Sequence, residues 1–297
     1  MITTKISSLP VAMLLVAQLL CVETALGQQP AAPRLSDELS KQEAIYQGQG
    51  DQLNTGYTID RSLSDYARAL PASFERALSG LGSADRWLDV GAGKAQAVMD
   101  YLSPEYELQQ EETRLPRVRS AQVIAMSIED RRTPLWRQKA ETLGPNQMRY
   151  IFGKRLRDYS NEELGQFQVI TDVIGGFSYT ENLTIFMEKI LGLLKLEGSF
   201  YTVLQDVEPE EGANRPFYPN APFLTEFEKV DGSKVKVCAW LKSIACVQVT
   251  CEVKTGWKPP VEAYQVRKVC PAISVPALLP VHYQAGTPPE RRFRLNP

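Results

Sequence analysis

The sequence predicts an α/β fold: a mainly parallel sheet with helices on both faces, closed at its C-terminal end by an antiparallel hairpin. Three observations point there. Short apolar runs at 86–90, 121–128, 148–152, 167–171 and 199–204 alternate with segments of helical spacing, as strands buried on both faces do. The first run leads directly into the turn Gly91-Ala92-Gly93, where a strand would hand over to a helix. Two further runs, 246–253 and 262–269, are joined only by residues 255–260, a connection that makes them antiparallel neighbours.

The composition is that of a folded protein. Of 297 residues, 43% are hydrophobic and 23% charged, with a formal charge of −2. A near-neutral chain lacks the long-range field with which proteins neutralise phosphate backbones, so nucleic acid is an unlikely partner. Residues 1–27 read as an export signal. Lys5 lies in a short polar start, an apolar run from Val11 to Val22 is broken only by Gln18, and Ala25-Leu26-Gly27 is a small-x-small cleavage site. That run is too short to span a bilayer, and no later segment is long and apolar enough, so no membrane span is expected after cleavage.

Cleavage removes Lys5 and Glu23 and leaves the charge balance unchanged. It also removes Cys21, which leaves Cys238, Cys246, Cys251 and Cys270. An even set in an exported chain predicts two disulfides, with the choice among three pairings open. The spacing lacks the paired Cys-x2–4-Cys knuckles of zinc sites, so no metal is expected.

In chain order, residues 28–42 are a polar, proline-rich lead-in and 43–84 a helical cap. Within the cap, Leu63, Tyr66, Ala67 and Leu70 fall on one helical stripe; Pro71 opens a second helix and Gly80 ends it. A domain over 85–270 follows. Its first strand, 86–90, precedes a helix at 94–102 and a charged insertion at 103–120 bounded by Pro104 and Pro116, too charged to be core. Strands at 121–128, 148–152 and 167–171 come next. Leu183, Phe186, Met187, Ile190, Leu193 and Leu194 then form a helical stripe with Gly198 beyond its end. After the strand at 199–204, residues 235–244 suit either a helix or a strand, and the closing pair follows. The tail, 271–297, is proline-rich and reads as an extended strap or loose end.

The most informative stretch is Asp89-Val90-Gly91-Ala92-Gly93-Lys94-Ala95. A strand, a glycine turn and a helix put bare backbone at the carboxyl edge of the sheet, where α/β proteins bind ligands. A nucleotide P-loop is excluded, because Leu88 stands where its first glycine belongs and Ala95 where its hydroxyl belongs. A dinucleotide turn would need a small residue at Gln96.

What remains, an acid two residues before the first glycine and small residues at alternate positions, resembles motif I of the class I S-adenosylmethionine-dependent methyltransferases. Residues 167–204 resemble that family's fourth strand, its following loop and helix, and the turn before strand five, with Lys195-Leu196-Glu197-Gly198 lacking the usual proline. The likeness covers 86–270. It implies a Rossmann-like, seven-stranded sheet and S-adenosylmethionine as cofactor, with Gly91, Ala92 and Gly93 admitting its methionine portion and Asp89 holding its ammonium. At the end of strand two, where the family grips the ribose with an acid, the sequence has Ser127, with Glu129 and Asp130 slightly later. At the end of strand three it has Lys154 where the adenine amine is often met, with Asp158 four residues on.

Methyl transfer from a sulfonium needs alignment of a nucleophile and, at most, a proton acceptor. The loop after strand four should face the methyl group. Asp172 and Tyr179 are the candidate catalytic residues there, within a rim that includes Gly175, Gly176 and Phe177, and Asp172 also counts among the cofactor contacts. Asp172 is not followed by the Pro-Pro-aromatic sequence of amino-group nucleic-acid methylases, and no Pro-Cys nucleophile occurs, so the acceptor is a small molecule, a lipid or a protein. Tyr46, Tyr57 and Tyr66 of the cap would overlie the cofactor or pack beneath it. The single histidine, His282, lies in the tail and gives hydrolase chemistry no support. Asn182-Leu183-Thr184 is formally a glycosylation sequon at a helix start. The alternative reading, motivated by Ser127 and Lys154, is a secreted binding protein on a degenerate methyltransferase fold without catalysis.

Overall fold

The structure, a computed structural model, describes residues 60–104, 106, 119–205, 226–256, 261–284 and 290–293. The export signal, the lead-in, Tyr46, Tyr57 and most of the charged insertion lie outside the described residues. Seven strands form the main sheet: β1 (Arg86–Val90), β2 (Gln122–Met126), β3 (Met148–Ile151), β4 (Phe167–Val173), β5 (Leu194–Gln205), β8 (Val247–Lys254) and β9 (Val261–Lys268). Their order is β3-β2-β1-β4-β5-β9-β8. The first five are parallel, with Asp89 level with Ala125 on β2 and Thr171 on β4. Strand β9 runs antiparallel to β5, and β8 antiparallel to β9. This is the predicted mainly parallel, seven-stranded, Rossmann-like sheet with a terminal hairpin.

Alternation along each strand divides the core in two. On one face Trp87, Val123, Val169, Tyr201 and Val203 are buried beneath α1 (Leu63–Ala69), α2 (Ser73–Ser79), α3 (Gln96–Tyr101) and α4 (Pro134–Leu143). On the other face Leu88, Ile124, Ile170 and Phe200 meet Leu183, Phe186, Met187 and Ile190 of α7 (Leu183–Leu193), and Trp240 and Leu241 of α8 (Val237–Lys242). Between β3 and α7 the chain also forms a 3₁₀ turn at Leu156–Asp158 and two four-residue helices, α5 (Asn161–Leu164) and α6 (Gly176–Tyr179).

The cap docks by chemistry as well as by area. Ser62 and Asp65 form a capping box that starts α1, and Leu63 N–H donates to Asp100 Oδ2 on α3 at 2.9 Å. Phe74 of α2 packs between Trp87 and Tyr201, with ring centroids at 6.4 and 5.4 Å.

Several sequence expectations are corrected in detail. The helix expected at 94–102 begins only at Gln96, because Gly93 (φ +56°) and Ala95 (φ +64°) are left-handed and delay it. The turn expected at 195–198 is absorbed into β5 as an irregularity. Pairing slips between Phe167 and Val169, Glu197 takes φ +66°, and a Cβ on Gly198 would lie 3.0 Å from Phe167 O. The segment 235–244, left open between helix and strand, is both: β7 (Lys234–Lys236), paired with β6 (Glu226–Glu228), passes into α8. One residue of the charged insertion is core after all. Arg119 is buried, and its guanidinium donates to the carbonyls of Tyr101, Ser103 and Tyr106, closing the C-terminal end of α3.

The four cysteines pair as Cys238–Cys251, joining α8 to β8, and Cys246–Cys270, joining the residues flanking the hairpin. The Glu262 carboxylate lies close to Cys238 and Cys251, but the sulfurs are spent in a disulfide and offer no thiolate to a metal. Residues 271–280 run back along the same side as a strap: Trp240 Nε1 donates to Pro276 O at 2.8 Å and Leu278 N donates to Thr184 Oγ1 at 2.9 Å. That bond buries the Thr184 hydroxyl while Asn182 Oδ1 caps α7, so the sequon is built into the fold. A two-stranded hairpin, β10 (Val281–Gln284) with β11 (Glu290–Phe293), follows, with His282 level with Arg292. No helix among the described residues is long and apolar enough to cross a membrane. Replacing Cys238 and Cys251 by serine should lower stability by about 2–4 kcal/mol in urea denaturation.

Candidate functional site

The loops after β1, β2 and β4 meet at the carboxyl edge of the sheet. Beyond Val90 the chain passes Gly91 (φ +72°) and Gly93 (φ +56°) before α3 begins. Ala92 N–H donates to Met126 O at 2.9 Å and pins the turn to the end of β2. A Cβ on Gly91 would lie 2.9 Å from Gly175 Cα, so the turns after β1 and β4 touch through two glycines. Gly91 is exposed, Gly93 half-buried and Ala92 buried, which leaves main chain as the outer surface of the turn.

Asp89 points beneath this turn, toward the cap, and is 0% exposed. Its carboxylate accepts hydrogen bonds from Thr171 Oγ1 at 2.7 Å and from Tyr66 OH at 3.1 and 3.2 Å. No lysine or arginine among the described residues pairs with it. Burial pushes Asp89 up to about 7; the bonds from Thr171 and Tyr66 oppose that rise and the nearby Asp60 carboxylate adds to it. Burial, and then the Asp89 charge, hold the Tyr66 phenol well above its ordinary value.

Asp172 is likewise 0% exposed, but it faces the opposite side of the sheet. Its oxygens accept from Gly175 N at 2.9 Å and Phe177 N at 3.0 Å, so the carboxylate shapes the loop after β4 instead of standing on its rim. Burial pushes Asp172 up to about 7, against the bonds from Phe177 and Gly175 and with the help of the Asp89 charge. Phe177 is buried among Phe186, Phe200 and Tyr264. Ile174, a β-branched residue at φ +55°, strains this loop. Tyr179 closes α6, and Gly176 opens it with no room for a side chain: a Cβ would meet Phe186 at 2.8 Å.

Ser127 and Glu129 follow β2. Ser127 is half-buried, and its N–H donates to Ile151 O at 3.1 Å. Glu129 is exposed and holds Arg131 at 2.7 Å, while Asp130 is held by Arg132 and Arg137. Ser127 thus stands at the end of β2 where the resemblance expects an acid, and Glu129, two residues on, is a solvent-facing carboxylate with a cationic partner. Tyr150, on β3, stands between these elements: its hydroxyl donates to Gly93 O at 2.5 Å and lies 3.4 Å from Glu129 O. Lys154 turns aside to Glu163 at 3.2 Å, and Arg132 instead lies over the rings of Phe152 and Trp136 at 5.0 and 5.8 Å.

The residues just before α1 lie over the same edge. Asp60 Oδ1 accepts from Gln96 N at 3.3 Å, and Arg61 reaches Val173 O at 3.5 Å. Asp60 is raised, by burial first, with the bond from Gln96 and the charge of Lys94 opposing.

No protein-family model and no curated protein matches this sequence. Solved structures do. The N-methyltransferase NodS from Bradyrhizobium japonicum WM9 aligns with 71% of this chain and 100% of its own at 11% identity and a TM-score of 0.42. A putative S-adenosylmethionine dependent methyltransferase from Listeria monocytogenes aligns with 67% and 99% at 15% identity and a TM-score of 0.39. PKMT2 from Rickettsia typhi, solved with AdoHcy, aligns with 48% of this chain and only 26% of its own at 14% identity and a TM-score of 0.36. The strand order, five parallel strands extended by an antiparallel pair, is by itself that of a Rossmann-like α/β sheet.

The structure brings together Asp89, Gly91, Ala92 and Gly93, and sets Ser127 and Glu129 beside the same turn. Asp172 is drawn inward and away from them. Thr171 and Tyr150 escape a reading of the sequence because each lies inside an apolar strand run and looks like core. Tyr66, left open in the sequence between lying over a ligand and packing beneath it, lies on the apolar stripe of α1 and is buried with its hydroxyl on the Asp89 carboxylate.

Proposed function

We propose that the protein is an exported S-adenosylmethionine-dependent methyltransferase acting on a small-molecule, lipid or protein acceptor. The observation that carries this reading is a buried carboxylate, Asp89, with no cationic partner among the described residues, beside a turn whose outer surface is main chain. A carboxylate out of water without a counter-charge is costly, and a cationic ligand relieves that cost. When bound, the cofactor supplies a methyl group already activated on a sulfonium. Asp89 would answer the ammonium, and Gly91, Ala92 and Gly93 would admit the methionine portion without side-chain interference. Ser127 and Glu129 would serve the ribose hydroxyls, the second through an exposed carboxylate that must give up Arg131 to do so.

On the acceptor side, Tyr179 and Gly176 belong to the rim, whereas Asp172 is assigned to holding the loop through the N–H groups of Gly175 and Phe177. The two disulfides and the apolar segment at 11–22 support an oxidising compartment outside the cytoplasm. A second reading, a secreted binding protein on this fold without catalysis, is favoured by Ser127 in place of an acid and by Lys154 engaged with Glu163.

Calorimetric titration of the oxidised protein with S-adenosylmethionine and S-adenosylhomocysteine separates the two. Micromolar binding that is lost in Asp89→Ala and Gly93→Asp is expected for the enzyme; absence of heat in a folded protein with both disulfides formed favours the binding protein. A radiolabel-transfer survey of small molecules, lipids and proteins then identifies the acceptor class.

A further inference from the structure

We propose that Tyr66 and Thr171 are positioning residues that aim and ionise Asp89 for the cationic end of the cofactor, so that helix α1 of the cap sets the affinity and pH response of the site. The proposal rests on the cofactor reading above and adds residues that motif I does not contain.

The polarity of the hydrogen bonds argues for it. An indole N–H can only donate, and Trp87 Nε1 donates to Thr171 Oγ1 at 2.8 Å. The single proton of the Thr171 hydroxyl is therefore free to point at Asp89 Oδ1, 2.7 Å away. Tyr66 brings a second proton from another element, shared between the two carboxylate oxygens at 3.1 and 3.2 Å. Two hydroxyl donors favour the ionised form, yet neither supplies a charge. Oδ2 has only the longer half of a shared bond, so it is the oxygen left with accepting capacity. The chain Trp87, Thr171, Asp89, Tyr66 thus spans β1, β4 and α1 and holds one carboxylate in one orientation.

Among the described residues, the charges around Asp89 do not provide the missing cation. From the segment before α1, Asp60 opposes its ionisation, and Arg61 acts on Tyr66. From β4, Asp172 couples unfavourably to it across the sheet. Lys94 and Asp100 act with opposite sign on Asp60 and offset one another there. A bound cation would therefore favour the Asp89 carboxylate over its protonated form, and affinity should rise with pH and level off once Asp89 is ionised in the free protein.

The test measures S-adenosylhomocysteine and S-adenosylmethionine affinity by calorimetry from about pH 5.5 to 8.5 on the full oxidised chain. In parallel, the Asp89 carboxyl carbon is titrated by NMR. Tyr66→Phe removes one donor; it should weaken binding about tenfold near neutrality and move both the affinity midpoint and the NMR midpoint to higher pH. Thr171→Val should do the same, and Thr171→Ser, which keeps the hydroxyl, should restore the wild-type midpoint even if it costs some stability. A Tyr66→Phe protein with a lower melting temperature but unmoved midpoints would overturn the proposal. If the wild-type protein binds neither compound at any pH, the cofactor reading fails, while the NMR midpoints still decide whether Tyr66 and Thr171 govern Asp89.

Discussion

Gly91→Ala is expected to destabilise the protein by about 2–5 kcal/mol and to abolish ligand binding at the site. Two costs add. A side chain at φ +72° carries about 1–2 kcal/mol for left-handed backbone, and a Cβ at 2.9 Å from Gly175 Cα forces an overpacked contact worth about 1–3 kcal/mol more. The neighbour is backbone, so it cannot swing aside as the end of a flexible side chain would. Gly144 gives the control, because it also has positive φ (+78°) but nothing within 4 Å of its Cβ position. Gly144→Ala should show the conformational cost alone and leave binding intact. Urea denaturation of both variants, each with its disulfides formed, isolates the contact between the two turns. A loss at Gly91 no larger than the conformational cost of about 1–2 kcal/mol would mean that the turns after β1 and β4 are not in contact in solution.

Stability should fall as pH rises from about 4 to about 7. Asp89 and Asp172 are each pushed up to about 7 in the folded protein, against an ordinary value of 3.8. Between those values the folded state binds more protons than the unfolded one, so raising the pH favours unfolding; above about 7 both states are ionised and the slope vanishes. The loss is up to about 4 kcal/mol for each group, since one pKa unit is worth about 1.4 kcal/mol. Carboxylates held low act in the opposite direction and in a lower window. Asp65, through Ser62 and Arg68, and Asp130, through Arg132, stabilise the fold above their unfolded values and lose that contribution as the solution becomes more acid. The combined profile should peak near pH 4–5, below the usual optimum for a protein of this size. Asp89→Asn should reduce the slope between pH 5 and 7 by about half, and a saturating cationic ligand should flatten it further. A stability profile level across that interval would show that both carboxylates reach water more freely than their hydrogen-bond geometry implies.

These two effects concern the same few ångströms of structure, and they explain why the site combines strain with buried charge. The turn after β4 carries Ile174 at φ +55° and an acid folded back onto its own N–H groups. The turn after β1 has to pass it without a side chain. Such a junction is costly to a fold that uses it only for connection, and it persists where the surrounding sheet holds it in place.

The strands of the sheet, though not their order, were legible in the amino-acid sequence because strand burial on both faces leaves a local trace. Runs such as Arg86–Val90 and Phe167–Thr171 are apolar regardless of their partners, and the short 255–260 connection permits only an antiparallel pair. The glycine turn was legible for a similar reason, since Gly91 and Gly93 answer a backbone requirement that few other residues meet. Helix α4 was also there to be read, in Thr133 as its cap and Pro134 at its first position, although its weakly apolar stripe hides it.

What tertiary structure alone decided is the direction in which the acids point. Asp89 and Asp172 look equivalent in sequence, each near the end of a parallel strand before a glycine. Alternation puts them on opposite faces, and each then meets donors that are distant or invisible in the chain: Tyr66 and Thr171 for the one, the N–H groups of Gly175 and Phe177 for the other. The pairing of Cys238 with Cys251 and of Cys246 with Cys270 is of the same kind. Spacing restricts which groups can meet, but hydrogen bonds and disulfides depend on distance and angle in space, and those exist only once the layers have packed.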